Sequence, residues 1–159
     1  MSYKRIVLAG LIASIVMGMW EMVVEQMAGG NGFWSPVTYI AATILRDYQQ
    51  VTTPVPFEAL PVVLGLMGHM MNSVILGAGF ALITHLVHGS RNELIGYGAE
   101  YGIAVMLIMW LVVLPLVDPV MLRVNVVSFF IAHVMWGVGL GLVLGWIPVD
   151  VRSLRPAQA

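Results

Sequence analysis

The sequence predicts an all-α polytopic membrane protein, a bundle of four transmembrane helices with one amphipathic helix on the outer side. Three observations carry that expectation. Of 159 residues, 60% are apolar and only 9% charged, whereas soluble domains run near ~45–50% and ~25%. Seven basic and eight acidic side chains are too few to cover a water-soluble globule of this size. Four apolar stretches, at about 6–28, 60–87, 94–117 and 124–147, reach the ~20 residues of helix that cross a ~30 Å hydrocarbon core.

The first stretch reads as a retained span and not as a cleaved signal peptide. Its apolar run is too long, it contains Glu21 and Glu25, and no small-residue cleavage site follows a short apolar core. The segment 29–59 is the one sizeable connection. Within it Ser35-Pro36 has the form of an N-cap followed by proline in the first helical turn. Val37, Ile40, Ala41, Ile44 and Leu45 then share one face, which predicts a helix over about 36–48. That helix either lies in the membrane interface or packs over the outer end of the bundle. The links at 88–93 and 118–123 are tight, so consecutive spans are antiparallel neighbours within one membrane domain, 1–159. Lys4, Arg5, Arg91, Arg152 and Arg155 fall on one side of the membrane, and Arg46 and Arg123 on the other. This asymmetry predicts that both termini are cytoplasmic.

Composition excludes several functions. A net charge of −1 provides no basic surface for nucleic acid. Without cysteine there are no disulfides, thiolate metal sites or thiol nucleophiles. No phosphate-binding glycine loop, dinucleotide fingerprint or nucleophile–base–orienter trio stands out, so enzymatic activity of its own is not expected.

The glycines sit inside the spans instead. Gly10, Ser14 and Gly18 follow a four-residue spacing in the first span. Gly98 and Gly102 form a GxxxG in the third, and Gly137, Gly141 and Gly145 continue from His133 in the fourth. Lipid tails provide no hydrophobic drive between helices, so such faces serve close backbone approach. Spacing alone leaves open whether they pack this chain's own bundle or a partner's helix. Gly68-His69 followed by Gly77 and Gly79 is echoed by Ala132-His133 followed by Gly137, Gly139 and Gly141. A duplicated two-helix hairpin explains the echo; membrane-helix composition alone does so too.

The chemistry lies in ionisable groups at membrane depth, which are costly and ordinarily face an interior, a cavity or a partner. Glu21 and Glu25 are one turn apart near the outer end of the first span. At ~1.5 Å per residue, His69 and His133 lie at matched depths of roughly 12–15 Å below the outer starts of their spans. Asn72 is level with His133, while His85 and Glu100 belong to the inner half. Four readings of this cluster are open. Glu21, Glu25, His69 and His133 could ligate a transition metal, with Met17, Met22, Met67, Met70, Met71 or Met135 adding soft ligands. His69 and His133 could be axial ligands of haem b. The cluster could form a quinol site, or a conduit for protons or metal ions. Glu–His hydrogen bonds could simply fix helix register.

Ala9-Gly10-Leu11-Ile12-Ala13 with Val16-Met17, Gly68-His69 with Phe80-Ala81-Leu82-Ile83, and Ala132-His133 with Gly137 and Gly141 together resemble a family of small four-helix prokaryotic integral membrane proteins, a domain of unknown function. The resemblance covers nearly the whole chain and implies a multi-pass protein of the prokaryotic cytoplasmic membrane. Glu21 and Glu25 stand outside its pattern. Small size, glycine faces and the lack of a soluble domain lead to the expected function. This is a non-catalytic accessory or assembly subunit, embedded in the lipid bilayer and docked on other membrane subunits, such as those of a respiratory or redox complex, or on further copies of itself. A haem- or metal-binding membrane protein is the alternative.

Overall fold

The computed structural model describes residues 3–87 and 90–146, and every regular element among them is helical. Helix α1 (Tyr3–Val24) runs into a π turn, Glu25–Gly29. Helix α2 (Ser35–Ala42) is followed by a 3-10 turn at Arg46–Gln50. Helix α3 spans Ala59–Val87. Helix α4 (Arg91–Ile108) is prolonged by a π turn, Met109–Val113, and a last turn, Leu114–Val117. A 3-10 turn at Pro119–Arg123 leads into α5 (Val126–Trp146). Helices α1, α3, α4 and α5 are each long and apolar enough to cross a membrane, so the expected four-helix membrane bundle is the fold.

Boundaries differ where local chemistry decides them. Helix α4 starts at Arg91 because the Glu93 carboxylate accepts the Ser90 N–H at 2.6 Å, one half of a capping box. Its π turn precedes Pro115, which has no N–H to donate; the Leu114 N–H reaches back to the Met109 carbonyl. The helix expected over 36–48 is broken at Thr43–Leu45, and of its two expected placements it takes the one packed on the bundle. Ser35 through Tyr39, with Ala41 and Ala42, are all buried. Helix α2 packs across α3, so tightly that a Cβ on Gly65 would lie 1.8 Å from the Val37 carbonyl oxygen. The fourth helix begins at Val126 rather than 124 because Asn125 caps it, its Oδ1 accepting the N–H groups of Val127 and Ser128 at 3.0 and 3.1 Å. Arg152, Arg155, His88 and the last predicted residue of the fourth span, Ile147, lie outside the described residues.

Around the bundle, α1 packs between α3 and α5, and α4 packs on α5. Helices α3 and α4 scarcely meet. Their link is Tyr101, whose ring packs on Phe80 at 5.3 Å and whose hydroxyl donates to the Leu76 carbonyl at 2.9 Å. The glycine faces decide the α4–α5 contact. A Cβ on Gly98, Gly102, Gly137 or Gly141 would stand 2.0–2.3 Å from a carbonyl oxygen of the facing helix. Gly10 likewise abuts the Val74 Cα on α3, at 2.8 Å from a would-be Cβ. Gly145 lies against Arg91, and Gly18 against the His69 ring. These faces therefore serve the chain's own bundle.

Polarity runs inside out. Ile15, Met19, Met67, Ile75, Leu111 and Val127 are exposed on the outside of the bundle, while Ser14, Glu21, Glu25, Ser73, Ser128 and His133 are buried. That is the arrangement of a bundle whose solvent is lipid, where buried polar groups are hydrogen-bonded across helices.

Candidate intramembrane site

The two glutamates, one turn apart in sequence, have different partners. Glu25 opens the π turn and is fully buried. Its Oε2 accepts Asn31 Nδ2 at 2.6 Å, and its Oε1 accepts the backbone N–H of Asn125 at 2.7 Å. Asn31 Nδ2 also donates to the Arg123 carbonyl at 3.0 Å, and Asn31 Oδ1 accepts the Tyr39 hydroxyl at 3.3 Å. The carboxylate thus ties α1 to α2 and to the start of α5. Gly29 permits this, since a Cβ there would collide with the folded-back Glu25 side chain.

Glu21 also faces the start of α5, where Ser128 Oγ donates to its Oε1 at 3.0 Å. Both carboxylates therefore lie at the helix end whose dipole favours negative charge. Glu21 Oε2, however, is buried with no hydrogen-bond partner. Glu21 lines a cavity of about 350 Å³ bounded by α1, α3, α4 and α5 under α2. Most of the wall is apolar, including Met17, Ile40, Met109, Val113 and Phe129; His69, Asn72 and His133 add polar groups. Met71 and Val117 line the cavity and are also exposed outside, so it reaches the bundle surface between α3 and α4.

Each imidazole is held by a backbone carbonyl. His69 Nε2 donates to Ser14 O at 3.0 Å, across the α1–α3 contact. His133 Nδ1 donates to Phe129 O at 2.8 Å within its own helix, and its ring lies 4.2 Å from that of Phe129. A second chamber of about 40 Å³ is lined by both histidines with Asn72, Ser73 and Trp136, room for a water molecule. Beside it Trp136 Nε1 donates to Ser73 Oγ at 2.7 Å, and that hydroxyl donates to Gly10 O at 2.7 Å.

Asp118 lies at the α2 end of the large cavity, accepting Gln49 Nε2 at 2.6 Å and Thr43 Oγ1 at 3.3 Å. Burial pushes its carboxyl above the ordinary value, an effect that these two bonds and the Arg46 charge oppose.

The structure therefore brings together Glu21, His69, Asn72 and His133 and leaves out the rest. Both oxygens of Glu25 are taken, and it does not line the cavity. His85 and Glu100 are exposed on the outside of the bundle. Among the described residues no group of three or more His, Asp or Glu side chains could hold a metal ion, so the four-residue ligand set Glu21, Glu25, His69 and His133 is not assembled. Asn31, Asn125, Ser128 and Asp118 are additions that the sequence reading missed. Asn125 before an apolar helical run is an N-cap signal. Asn31, between Gly30 and Gly32 at φ values of 73° and 94°, carries only a turn signal.

Fold and site together define the class: an all-helical, multi-pass membrane bundle with an enclosed polar cluster. Compared with known protein families, characterised proteins and solved structures, the chain matches none.

Proposed function

We propose that this protein binds a small lipophilic molecule that enters from the bilayer between α3 and α4 and seats its polar end against Glu21, His69 and His133. The observation that carries the reading is the cavity of about 350 Å³ with a mainly apolar wall, into which three helices direct ionisable groups. Ligand sites are typically concave spaces of this size, largely apolar, with few convergent polar groups. The buried, unpartnered Glu21 Oε2 supports it further, because an unsatisfied buried acceptor costs about 1–3 kcal/mol unless something completes it. The setting is the prokaryotic cytoplasmic membrane that the family resemblance implies, with both termini inside as the positions of Lys4, Arg5 and Arg91 suggest. Of the three motives for a docking subunit, the glycine faces are used within the chain's own bundle.

Native mass spectrometry of gently extracted protein tests the reading. A retained organic molecule is expected in the wild type and its loss in Val113→Trp, which fills the cavity, with thermal unfolding showing that the variant is folded. No adduct in the wild type, or equal adducts in both, overturns it.

A further inference from the structure

We infer that the cavity selects a hydroxyl-bearing head, an alcohol or phenol, over a carbonyl, ether or carboxylate head; this rests on the binding role proposed above. Backbone carbonyls only accept hydrogen bonds. The proton on His69 must therefore sit on Nε2, facing Ser14 O, and that on His133 on Nδ1, facing Phe129 O. In each neutral ring the second nitrogen is then a lone-pair acceptor, and neither has a partner among the described residues. Glu21 offers a third acceptor, Oε2, because the Ser128 hydroxyl is already on Oε1.

Helices α1, α3 and α5 thus bring the Glu21 carboxyl and two imidazole acceptors to the wall of one space. A single added proton, on Glu21 or on either ring, converts one of them into a donor and leaves two acceptors. Asn72 is the one amide on the wall, and the Thr43 hydroxyl is directed to Asp118. A ligand head with acceptors alone would face these lone pairs with its own. A hydroxyl donates to one acceptor in either protonation state, and once one group is protonated it also accepts from that group. A lipophilic ammonium also donates, but it would have to shed its hydration on the way through the bilayer, which a neutral hydroxyl avoids.

The test is equilibrium binding of 4-hexylphenol and of its methyl ether, 4-hexylanisole, to the protein in nanodiscs, followed by tryptophan fluorescence and referenced to empty nanodiscs. The phenol is expected to bind saturably and the ether at least about tenfold more weakly, as sites built around a hydroxyl reject analogues that lack it. In Glu21→Gln, whose amide brings a donor, the difference between the two should narrow. Equal binding of both probes by the wild type overturns the inference and leaves the cavity's binding role standing. Binding of 4-hexylbenzylamine without binding of the phenol overturns it in favour of a cationic head. Binding of no probe overturns it too, and the adduct experiment then decides separately whether the cavity binds anything. The wild-type comparison needs no variant to fold.

Discussion

Glu25→Gln changes one atom of a buried carboxylate and should cost about 2–4 kcal/mol of stability. The magnitude follows from the partners. Both oxygens of Glu25 accept, one from Asn31 Nδ2 at 2.6 Å and one from the Asn125 N–H at 2.7 Å. Glutamine has a single acceptor oxygen, so its amide must turn an NH2 toward one of two donors. Asn31 cannot flip to meet it without giving up the Arg123 carbonyl and the Tyr39 hydroxyl. One hydrogen bond to a charged group, worth about 1.5–3 kcal/mol, is lost, and a buried donor is left unsatisfied at about 1–3 kcal/mol; partial relaxation brings the sum to the lower range given. Chemical unfolding in mixed micelles, followed by tryptophan fluorescence, measures the difference. A second arm is the double variant Glu25→Gln with Asn31→Asp, which supplies an acceptor to the new NH2 and should recover part of the loss, giving a measurable coupling. A single-variant effect within about 0.5 kcal/mol, the range of an ordinary surface change, would refute the claim that this carboxylate locks α1 to α5.

Two further outcomes are expected. Gly98→Ala and Gly137→Ala place a Cβ about 2 Å from a facing carbonyl oxygen and should destabilise the bundle by roughly 1–3 kcal/mol. Gly96→Ala, two residues away and open on all sides, should be neutral or stabilising by up to about 1 kcal/mol; equal effects in thermal unfolding would contradict the packing described. Asp118 has its folded pKa raised by burial above 3.8, so its protonated form is the one the fold favours. Its contribution to stability is thus fully present below pH 3.8 and is lost as the pH rises through the folded value. Relative to Asp118→Asn, the wild type should gain stability as the pH falls from 7 toward 4. A relative loss on acidification would show that the Gln49 and Thr43 bonds outweigh the cost of burial.

Much of the fold was legible because it depends on length and apolarity. Four spans were read nearly to their ends, and the depths assigned to His69 and His133 place both on the same cavity wall. What was not legible depends on side-chain direction and on departures from α-helical geometry. Glu21 and Glu25 at i and i+4 share a face in a regular helix, but a π turn begins at Glu25. The second carboxylate is met by Asn31 and the Asn125 N–H rather than by a histidine. No residue pattern announces that turn. Glu100 shows the same limit: depth identified it as a costly group, yet only packing shows that it lies on the outside of the bundle while Gly98 and Gly102, its neighbours in sequence, face α5. The periodicity over 36–48 fitted an interfacial or a packed helix, and Ser35–Ala42 is buried because Gly65 lets its backbone come against α3.

The two glutamates also show how one helix end can serve both fold and site. Each lies where the α5 dipole tolerates negative charge, and each accepts one bond from the first residues of that helix or its cap, Asn125 N–H for Glu25 and Ser128 Oγ for Glu21. They differ in the second oxygen. That of Glu25 is held by Asn31 and fastens the loop before α2; that of Glu21, a turn deeper, has no hydrogen-bond partner and belongs to a residue that lines the cavity. Fixing Glu25 fixes α1 against α5, and so sets where Glu21 Oε2 stands relative to His133. Loss of the Glu25 lock should therefore weaken ligand binding at a cavity Glu25 does not touch, whereas loss of the Glu21 acceptor should change which ligands bind.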